Sequence, residues 1–301
     1  MGKTDIKSLP LEQLEQWAVE HGEKKFRAKQ LYQWMHVKLV EDPEQMSNLS
    51  AAFRQEIRES CTFTVLKQVT MQESVLDGTR KYLFELEDHN MVESVLMRYK
   101  HGNSVCISSQ VGCRMGCRFC ASTLDGLVRN LTPAEMLEQI YRISADTGER
   151  VSNVVVMGTG EPLDNYDNLL TFIRMLTDEN GLHISQRNLT VSTCGLVPRI
   201  RDLAKEGLQI TLALSLHASN QEKRRELMPV AKAYDIHEAV DAMQDYFEET
   251  GRRVTFEYSL VAGVNDTEED ARELAELIHG INCHVNLIPV NPIKERDFVQ
   301  P

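Results

Sequence analysis

The chain has 301 residues, of which 42% are apolar, and a formal net charge of -12 at pH 7. This length and apolar content suffice for one barrel-like domain with a smaller accessory domain. The negative charge argues against a protein that coats nucleic acid through bulk electrostatics, although local basic patches remain compatible with it. The first ten residues lack an apolar segment, a myristoylation signal is absent, and no apolar run reaches membrane-spanning length, so we expect a cytoplasmic protein without a membrane partner.

Cysteine usage gives a second constraint. The chain has seven cysteines, an odd number that is unevenly spaced along the sequence. This pattern fits a reducing compartment better than a disulfide framework. We interpret Cys61, Cys194 and Cys283, which lie apart from the others, as ordinary small buried residues.

The amino-terminal part of the sequence has helical periodicity. It predicts helices at about 10–21, 26–39 and 47–59, with a stop for the first at Gly22, and hence a helical accessory domain over residues 1–60. Basic and aromatic residues are interleaved around the second helix: Lys24, Lys25, Phe26, Arg27, Lys29, Tyr32, Trp34 and Lys38. This composition suits RNA binding through phosphate contact and stacking. The stretch alone, however, favours an amphipathic helix with a solvated charged face.

Residues 61–103 follow a different pattern. Apolar and polar residues alternate, and turn signals at 77–78 and 88–90 adjoin predicted strands at 81–86 and 91–97. We expect a β-meander that links the accessory domain to the main domain.

From residue 104 onward, short apolar runs alternate with amphipathic helical stretches. The predicted strands lie near 104–109, 153–157, 188–193, 210–216, 254–261 and 284–290, and the predicted helices near 132–146, 166–178, 197–206, 221–228, 236–249 and 267–279. Six such units are too few for the eight of a closed TIM barrel. Residues 104–301 therefore predict an α/β fold, an open and partial (β/α)6 TIM-like barrel with parallel strands and right-handed crossovers.

Polar motifs fall at the carboxyl ends of these strands, where barrel enzymes place their chemistry. They comprise a cysteine run after the first strand, 158–162 after the second, 192–193 at the third, 215–217 at the fourth and Asn291 after the sixth. Packing alone does not require this placement, so the pattern favours an enzyme.

Three cysteines, Cys113, Cys117 and Cys120, form a CxxxCxxC run. Three thiolates around a 4Fe-4S cluster leave one iron open to bind and reduce a substrate, whereas a fourth would close the cluster into an electron carrier. A structural zinc site built from the same thiols and Cys106 is the alternative, although zinc ligands usually come in C-x-x-C pairs. The run, with Phe119 before its last cysteine, resembles that of the radical S-adenosylmethionine (SAM) superfamily, in which the open iron chelates SAM.

Further motifs resemble those of one family within that superfamily. Cys106 lies seven residues before Cys113, and GLVRNLT, GTGEPL, VSTCG, SLHA and HVNLIPVNP follow in order. From about residue 90 to the end these look like the RlmN-type methyltransferases, and FRAKQLYQW near the start resembles their accessory domain. The resemblance implies methylation of carbon 2 of an adenosine in 23S rRNA and in tRNA. It implies a 4Fe-4S cluster and SAM as cofactors and an external electron donor such as flavodoxin, and we expect a monomer.

The chemistry of that family explains which residues are needed. An aromatic adenine carbon is neither acidic nor nucleophilic enough for ordinary alkylation, so a radical route is required. In the family, one SAM methylates a C-terminal cysteine, and a second SAM, cleaved at the cluster, abstracts a hydrogen from that methyl group. The methylene radical adds to the ring, a base removes the ring proton, and a second cysteine releases the product as a disulfide forms.

By resemblance, Cys106 is the second cysteine and Glu93, in its Val-Glu-Ser-Val context, is the base. Strand parity places Cys106 with Ser104 and Ser108 on one polar face, which suits a site inside a barrel. The residues alone leave two alternatives: a quiet buried thiol at Cys106, and an edge residue reaching water at Glu93.

The resemblance also assigns the residues that contact SAM. In the family, a motif like GTGEP lets the backbone approach the methionine part of SAM and accept its ammonium group, which implies cofactor binding by Gly160 and Glu161. Thr159 stands where relatives commonly have a larger apolar residue. Motif position implies five further SAM contacts: Ser192, Ser215, Leu216, His217 and Asn291. Taken singly, each is more typical of a strand-end cap or a packing residue.

One departure from the family concerns the methyl-carrying cysteine. It lies after the last barrel strand in the family, whereas this sequence ends at Pro301 before any such residue, and Cys194 and Cys283 lack the matching context. We expect residues 1–301 to behave as a truncated chain that binds cluster and SAM but does not complete methyl transfer.

Three alternative functions stay open. A Cfr-type enzyme, which methylates carbon 8 of the same ribosomal adenosine, shares the cysteines and nearly all SAM motifs, although GTRKYLFEL and HVNLIPVNP look more like the carbon-2 group. A non-catalytic iron-sulfur or zinc protein would bind RNA through its basic helix and would not bind SAM. A radical SAM enzyme acting on a protein or a small molecule would use the accessory domain for a different partner.

Overall fold

The computed structural model describes residues 3–301. In this part of the chain the α-helices are α1 (Leu11–Glu20), α2 (Lys25–His36), α3 (Ala51–Ser60), α4 (Pro133–Thr147), α5 (Tyr166–Thr177), α6 (Val197–Ala204), α7 (Gln221–Leu227), α8 (Ile236–Thr250) and α9 (Glu268–Leu277). The β-strands are β1 (Thr4–Asp5), β2 (Cys61–Thr62), β3 (Lys67–Glu73), β4 (Arg80–Glu85), β5 (Met91–Tyr99), β6 (Gly102–Ile107), β7 (Gln110–Gly112), β8 (Leu127–Asn130), β9 (Val151–Val156), β10 (Leu189–Thr193), β11 (Thr211–Ser215), β12 (Val254–Leu260) and β13 (Cys283–Pro289).

These elements fall into two compact units. The first unit consists of the residues up to Ser108, Leu131–Val154 and Asp167–Ser185, and the second of Ser109–Asn130, Val155–Tyr166 and Gln186–Pro301. Each unit therefore combines separate stretches of the chain, and β9 contributes residues to both. The division into domains at residues 60 and 103 stays a prediction.

The sheet of the first unit has the strand order β9-β6-β5-β4-β3. Neighbours from β3 to β6 are antiparallel, as a meander requires. Helix α4 covers one face, because Gln139 accepts hydrogen bonds from Ser94 Oγ at 2.7 Å and from Ser108 N at 2.8 Å. On the same helix, buried Glu138 forms an ion pair with buried Lys7 at 2.7 Å.

Local sequence signals explain where α4 begins and ends. Thr132 and Glu135 form a reciprocal capping box at its start, with Pro133 in the first turn. Gly148 follows its last residue with a φ of 66°, a left-handed conformation that glycine adopts without steric cost. Capping therefore fixes this helix, which the periodicity predicts at 132–146.

The second unit contains a parallel sheet with the strand order β13-β12-β11-β10. Helix α6 lies between β10 and β11 in the chain, α7 and α8 lie between β11 and β12, and α9 lies between β12 and β13. The register pairs Ser215 with Glu257, and Glu257 with Asn286. Residues near the carboxyl ends of different strands thus lie at the same level of the sheet.

The secondary structure agrees with the prediction for the helices and for the predicted strands, whereas the seven-residue strand β3 was not predicted individually. The parallel strands and the β-meander are confirmed. The two-residue strands β1 and β2 and the short pair β7 and β8 were not predicted. Between residues 3 and 301, none of the helices has the length and apolar character needed to cross a bilayer.

Candidate functional site

A cavity of about 250 Å³ lies in the second unit. Its wall includes Ser192 and Thr193 at the end of β10, Ser215 at the end of β11, and Ile288 near the end of β13. It is therefore a concave site at the carboxyl ends of parallel strands, where α/β proteins bind their ligands.

The three cysteines of the CxxxCxxC run all line this cavity. Their loop is held by its own backbone, since Cys113 N donates to Gly126 O at 2.9 Å and Cys120 N donates to Cys117 O at 3.1 Å. Thr123 Oγ1 lies 3.1 Å from Cys117 O and 2.9 Å from Cys120 O. The loop thus brings Cys113, Cys117 and Cys120 to one wall, and these three thiols form no disulfide in the part of the chain that the structure describes.

The short strands β7 and β8 explain the shape of this loop. They pair at its two ends, with Gln110 opposite Asn130. Gly112 has a φ of +71°, and a Cβ there would lie 1.9 Å from Gly126 O. No other residue fits at position 112 without moving the backbone, so this glycine fixes the approach of the strands.

Burial controls the protonation of these thiols. It raises the pKa of Cys113 to about 11 and that of Cys117 to about 12. Both thiols are therefore neutral at pH 7 in the protein alone. Because a metal binds the thiolate, loading iron onto them must release protons.

The 158–162 motif forms the neighbouring wall of the cavity. Ser109 N and Gln110 N both donate to Thr159 O, at 2.9 and 3.1 Å. Gly160 has a φ of +114°, and a Cβ there would lie 2.7 Å from Gln110 Cβ and 2.8 Å from Ser109 Oγ. Glycine is thus needed at position 160 for backbone conformation and for close packing alike.

Glu161 lines the cavity but is only 3% exposed. Its Oε1 accepts a hydrogen bond from Leu163 N at 3.0 Å, and its Oε2 accepts one from Cys194 N at 2.7 Å. Burial raises its pKa, and these hydrogen bonds oppose that shift. Its carboxylate therefore caps the turn Pro162–Asn165 and fixes the end of β10, a positioning role that the sequence did not indicate.

The hydroxyl groups of Ser192 and Ser215 lie 3.3 Å apart in the cavity wall. They come from the adjacent parallel strands β10 and β11. The two residues predicted to contact SAM from different motifs are thus brought together as a pair of polar groups.

His217 also lines the cavity and is held in a single tautomer. Its Nδ1 accepts a hydrogen bond from Ser259 N at 2.9 Å, and its backbone has a φ of 56°. Burial, together with the charge of Arg224, lowers its pKa to about 3. The ring is therefore neutral, and Nε2 carries its only proton.

Two of the predicted SAM contacts lie elsewhere. Leu216 is fully buried, and Asn291 is exposed; neither belongs to the cavity wall. The structure therefore brings together Gly160, Glu161, Ser192, Ser215 and His217, but not these two residues. Their contact with SAM stays a prediction.

Sequence reasoning missed an acidic residue of the wall. Glu257 on β12 is 7% exposed, and its Oε2 accepts a hydrogen bond from Asn286 Nδ2 at 2.8 Å. Burial raises its pKa. A single acid in the apolar strand VTFEYSL is a signal that could have indicated it. Cys194, interpreted as an ordinary buried residue, is buried as expected but also lines the cavity.

The two predicted catalytic residues outside the cavity wall belong to the first unit. Glu93 on β5 is exposed, and its Oε1 lies 2.6 Å from Lys81 Nζ. Glu93 thus reaches water, as the alternative from the residues alone expected, but β5 is an inner strand paired with β4 and β6 and not an edge strand. Cys106 on β6 is half-buried and pairs with Val95, whereas Val105 and Ile107 on the opposite face are fully buried.

The basic helix α2 of the first unit presents aromatic rings beside its cations. Lys38 Nζ lies 3.4 Å from the centre of the Trp34 ring, and Arg27 lies over the ring of Phe26, which is about half exposed. Tyr32, in contrast, is fully buried. Part of the interleaved stretch is therefore core, and part is a surface with cations and rings.

Comparison with known proteins bears on the whole chain. A model of the Radical SAM superfamily matches residues 107–278, and one of the ribosomal RNA large subunit methyltransferase N-terminal domain matches residues 4–63. A probable dual-specificity RNA methyltransferase RlmN from Lachnospira eligens is 64% identical over 99% of this chain and 85% of its own length. One from Clostridium novyi is 50% identical over 98% of this chain and 86% of its own length.

The chain belongs to the RlmN family of radical SAM methyltransferases. A solved structure agrees: a radical SAM methyltransferase from Sphaerobacter thermophilus superposes with a TM-score of 0.95 at 42% identity, over 99% of this chain and 88% of that one. The predicted fold class, an α/β partial radical SAM barrel with a helical N-terminal domain, is therefore confirmed.

The cavity suits the iron-sulfur cluster that membership of the RlmN family implies. Among residues 3–301, no group of three His, Cys, Asp or Glu side chains converges on the position of a single metal ion. A cluster spreads its thiolates over separate irons, so its ligands need only line one cavity, as Cys113, Cys117 and Cys120 do. The donor set, three free thiols, therefore fits the cluster.

Proposed function

We propose that this chain supplies the cluster, SAM and proton-acceptor sites of an enzyme that methylates carbon 2 of an adenosine in 23S rRNA and in tRNA, with a 4Fe-4S cluster and SAM, through a methyl-cysteine intermediate. Membership of the RlmN family supports the class of reaction, and the name dual-specificity RNA methyltransferase of its relatives supports the two RNA substrates. A cytoplasmic location, a monomer and an external electron donor such as flavodoxin complete the proposal.

One observation carries it. Three free thiols with metal-ligand spacing line the same cavity as the glycine motif and the polar strand ends. A cavity of about 250 Å³ that combines thiols, small residues and hydroxyl groups suits a cluster with an attached small molecule better than an electron carrier, which needs no pocket for a substrate.

Bound in this cavity, the cluster would supply the electron that cleaves SAM. Several residues of the cavity wall would then bind SAM together. The backbone at Gly160 is free of a side chain that would block approach, and the Ser192 and Ser215 hydroxyl groups offer donors and acceptors. His217 offers a neutral N–H donor from Nε2, because its Nδ1 is already occupied by Ser259 N.

Glu93 and Cys106 are proposed for the steps that follow addition of the radical to adenine. Glu93 is a carboxylate that reaches solvent on β5, so it can accept a proton from an RNA base that enters from outside. Cys106 on the adjacent strand β6 supplies the thiol that a resolving nucleophile must have.

RNA binding is proposed for the surface formed by Phe26, Arg27 and Trp34 of α2 and by Lys38, which follows the helix. Its cation and ring pairs match what a phosphate backbone and unstacked bases require. The chain has a net charge of -12, so attraction of RNA must come from such a local patch.

The decisive experiment is anaerobic reconstitution with iron and sulfide, followed by reduction in the presence of SAM and assay of 5'-deoxyadenosine. We expect bound iron and sulfide and formation of 5'-deoxyadenosine, all lost in Cys117→Ser, with Cys61→Ser as the matched control thiol outside the loop. Bound zinc without iron, or a cluster that does not cleave SAM, would refute the proposal.

The carbon position needs a second measurement. We propose a chimera in which residues 1–301 are followed by the C-terminal segment on which the family carries its methyl group. Mass spectrometry of digested RNA, with 2-methyladenosine and 8-methyladenosine as standards, should show the 2-methyl product. An 8-methyl product would instead identify a Cfr-type enzyme.

A further inference from the structure

Arg224 on α7 is the largest fully buried side chain of the described residues. Its Nε donates to Leu216 O at 3.3 Å and its Nη2 donates to Cys194 O at 2.7 Å. Its Nη1 is buried and has no hydrogen-bond partner. In the part of the chain that the structure describes, no ion pair joins this guanidinium to a carboxylate. Arg224 is thus a buried cation with neutral partners only.

Such an arrangement is costly in a protein. A buried charge without a counter-ion loses its hydration and gains little from carbonyl groups, so buried arginines are usually paired with carboxylates. In the described residues, the chain therefore holds a positive charge inside the second unit that forms no ion pair with a carboxylate.

The surroundings of Arg224 indicate where a negative charge would come from. Arg224 interacts electrostatically with Cys194 and Cys117 first and with Asp235 less strongly. The two cysteines pack together with Leu227 and Met228 in one buried cluster. Helix α7 also contacts the cysteine loop directly, since Arg118 N, next to Cys117, donates to Leu227 O at 2.9 Å.

A cluster in this loop would be an anion. Three thiolates outweigh the charge of an oxidised 4Fe-4S core, and one-electron reduction makes the assembly more negative still. A fixed buried cation nearby therefore stabilises the reduced form more than the oxidised form.

We propose that Arg224 is the buried counter-charge of the cluster and raises its reduction potential, so that the cluster accepts an electron more readily. This inference rests on the proposed function, in that Cys113, Cys117 and Cys120 hold the cluster. Arg224 touches neither SAM nor RNA in this role; it is a positioning residue that sets the electrostatics of the metal site.

The test is a redox titration of reconstituted protein, followed by the electron paramagnetic resonance signal of the reduced cluster. At a fixed potential we expect Arg224→Gln and Arg224→Met to lower the ratio of reduced to oxidised cluster roughly tenfold, equivalent to about 59 mV for one electron. Arg224→Lys keeps the charge and should stay within about threefold of the wild type. Arg225→Met, the removal of an exposed cation from the next position, is the matched control and should cause no shift.

A second readout uses protein without cluster. If Arg224 serves the cluster, Arg224→Met should unfold at or above the wild-type temperature when iron is absent, because an unpaired buried charge has been removed. The same variant should lose iron to a chelator roughly tenfold faster than the wild type. A merely structural arginine predicts the reverse: a less stable protein with unchanged retention of iron.

These outcomes separate the two proposals. A wild-type protein that takes up no iron and sulfide overturns the proposed function. Protein that holds a cluster but shows the same potential with Lys and with Gln at position 224 overturns the role of Arg224 alone. If Arg224→Met fails to fold, the reduction potentials of Arg224→Lys and Arg224→Gln can still be compared.

Discussion

Glu93 and Cys106 lie on the same face of two adjacent antiparallel strands. Val95 pairs with Cys106 across β5 and β6, and Ser108 Oγ donates to Glu93 O at 2.8 Å. Because side chains alternate along a strand, Glu93 and Val95 share the face that carries Cys106 and Ser108. The opposite face, with Ser94, is bonded to α4. A carboxylate and a thiol are therefore diagonal neighbours on the face opposite α4.

Replacing Glu93 by Gln should separate methyl transfer from SAM cleavage. The side chain is 52% exposed and its partner Lys81 is 48% exposed, so the loss of this ion pair should change the free energy of unfolding by less than about 0.5 kcal/mol. We expect 5'-deoxyadenosine formation without RNA to be unchanged, and methyl transfer by the chimera to fall about 10²–10⁴-fold, because the ring proton has no acceptor. The measurements are urea unfolding, SAM cleavage and mass spectrometry of RNA.

Glu73→Gln is the matched control for that variant, since Glu73 is an exposed acid of the same meander that pairs with Arg80 at 2.9 Å. It should leave all three measurements unchanged. Methylation by Glu93→Gln at the wild-type rate would show that Glu93 is not the proton acceptor.

The sequence predicts the secondary structure of this chain well because its strands are short apolar runs between capped amphipathic helices. The cysteine loop, in contrast, is shaped by β7 and β8, strands of three and four residues that are too short for a periodic pattern. Their pairing depends on the contact of Gly112 with Gly126, which lie far apart in the sequence.

Tertiary contacts also decide which polar residues reach the cavity. Arg224 stands in the helix QEKRREL, where no apolar contrast distinguishes a buried arginine from an exposed one. Its burial follows from bonds to Leu216 O and Cys194 O on other elements. Motif position likewise groups Leu216 with Ser215 and His217, but alternation along the chain turns Leu216 away from the cavity wall.

Gly160→Ala should destabilise the protein and weaken SAM binding. The new Cβ would overlap Gln110 Cβ at 2.7 Å and Ser109 Oγ at 2.8 Å. Gly263→Ala is a matched control, because Gly263 has a φ of +69° with no atom within 4 Å of an added Cβ. We expect Gly160→Ala to be less stable than the control by about 1–3 kcal/mol in urea unfolding, the cost of overlap beyond that of backbone strain. Equal stabilities of Gly160→Ala and Gly263→Ala would show that the residues around position 160 shift to accommodate the methyl group without a loss of stability.

Buried His217 should make stability depend on pH. Burial first, and the charge of Arg224 second, lower its pKa to about 3 in the folded protein, against about 6.5 for a free histidine. Below pH 6.5 the unfolded chain therefore binds a proton that the folded chain excludes, and stability falls as the pH falls. Between pH 7 and 5 this one group should cost the wild type about 2 kcal/mol. Between pH 7 and 5, the free energy of unfolding of His217→Gln should therefore fall by about 2 kcal/mol less than that of the wild type, as measured by urea unfolding. Equal pH dependence of the free energy of unfolding in the two proteins would contradict a neutral buried ring.

Cys106→Ala should stop the reaction after the RNA has become attached to the protein. In the proposed mechanism the Cys106 thiol attacks the sulfur of the thioether and releases methylated adenosine. Without this thiol, the covalent adduct between protein and RNA is not resolved. Cys106 is half-buried, and alanine at this strand position should be tolerated by the fold. We expect the chimera with Cys106→Ala to accumulate a complex with RNA that survives denaturing electrophoresis, whereas Cys283→Ala, a change at another half-buried thiol, should release product normally. If the chimera with Cys106→Ala methylates RNA at the wild-type rate, another group must release the product. The position of Cys106 on the same face as Glu93 would then have no role in the reaction.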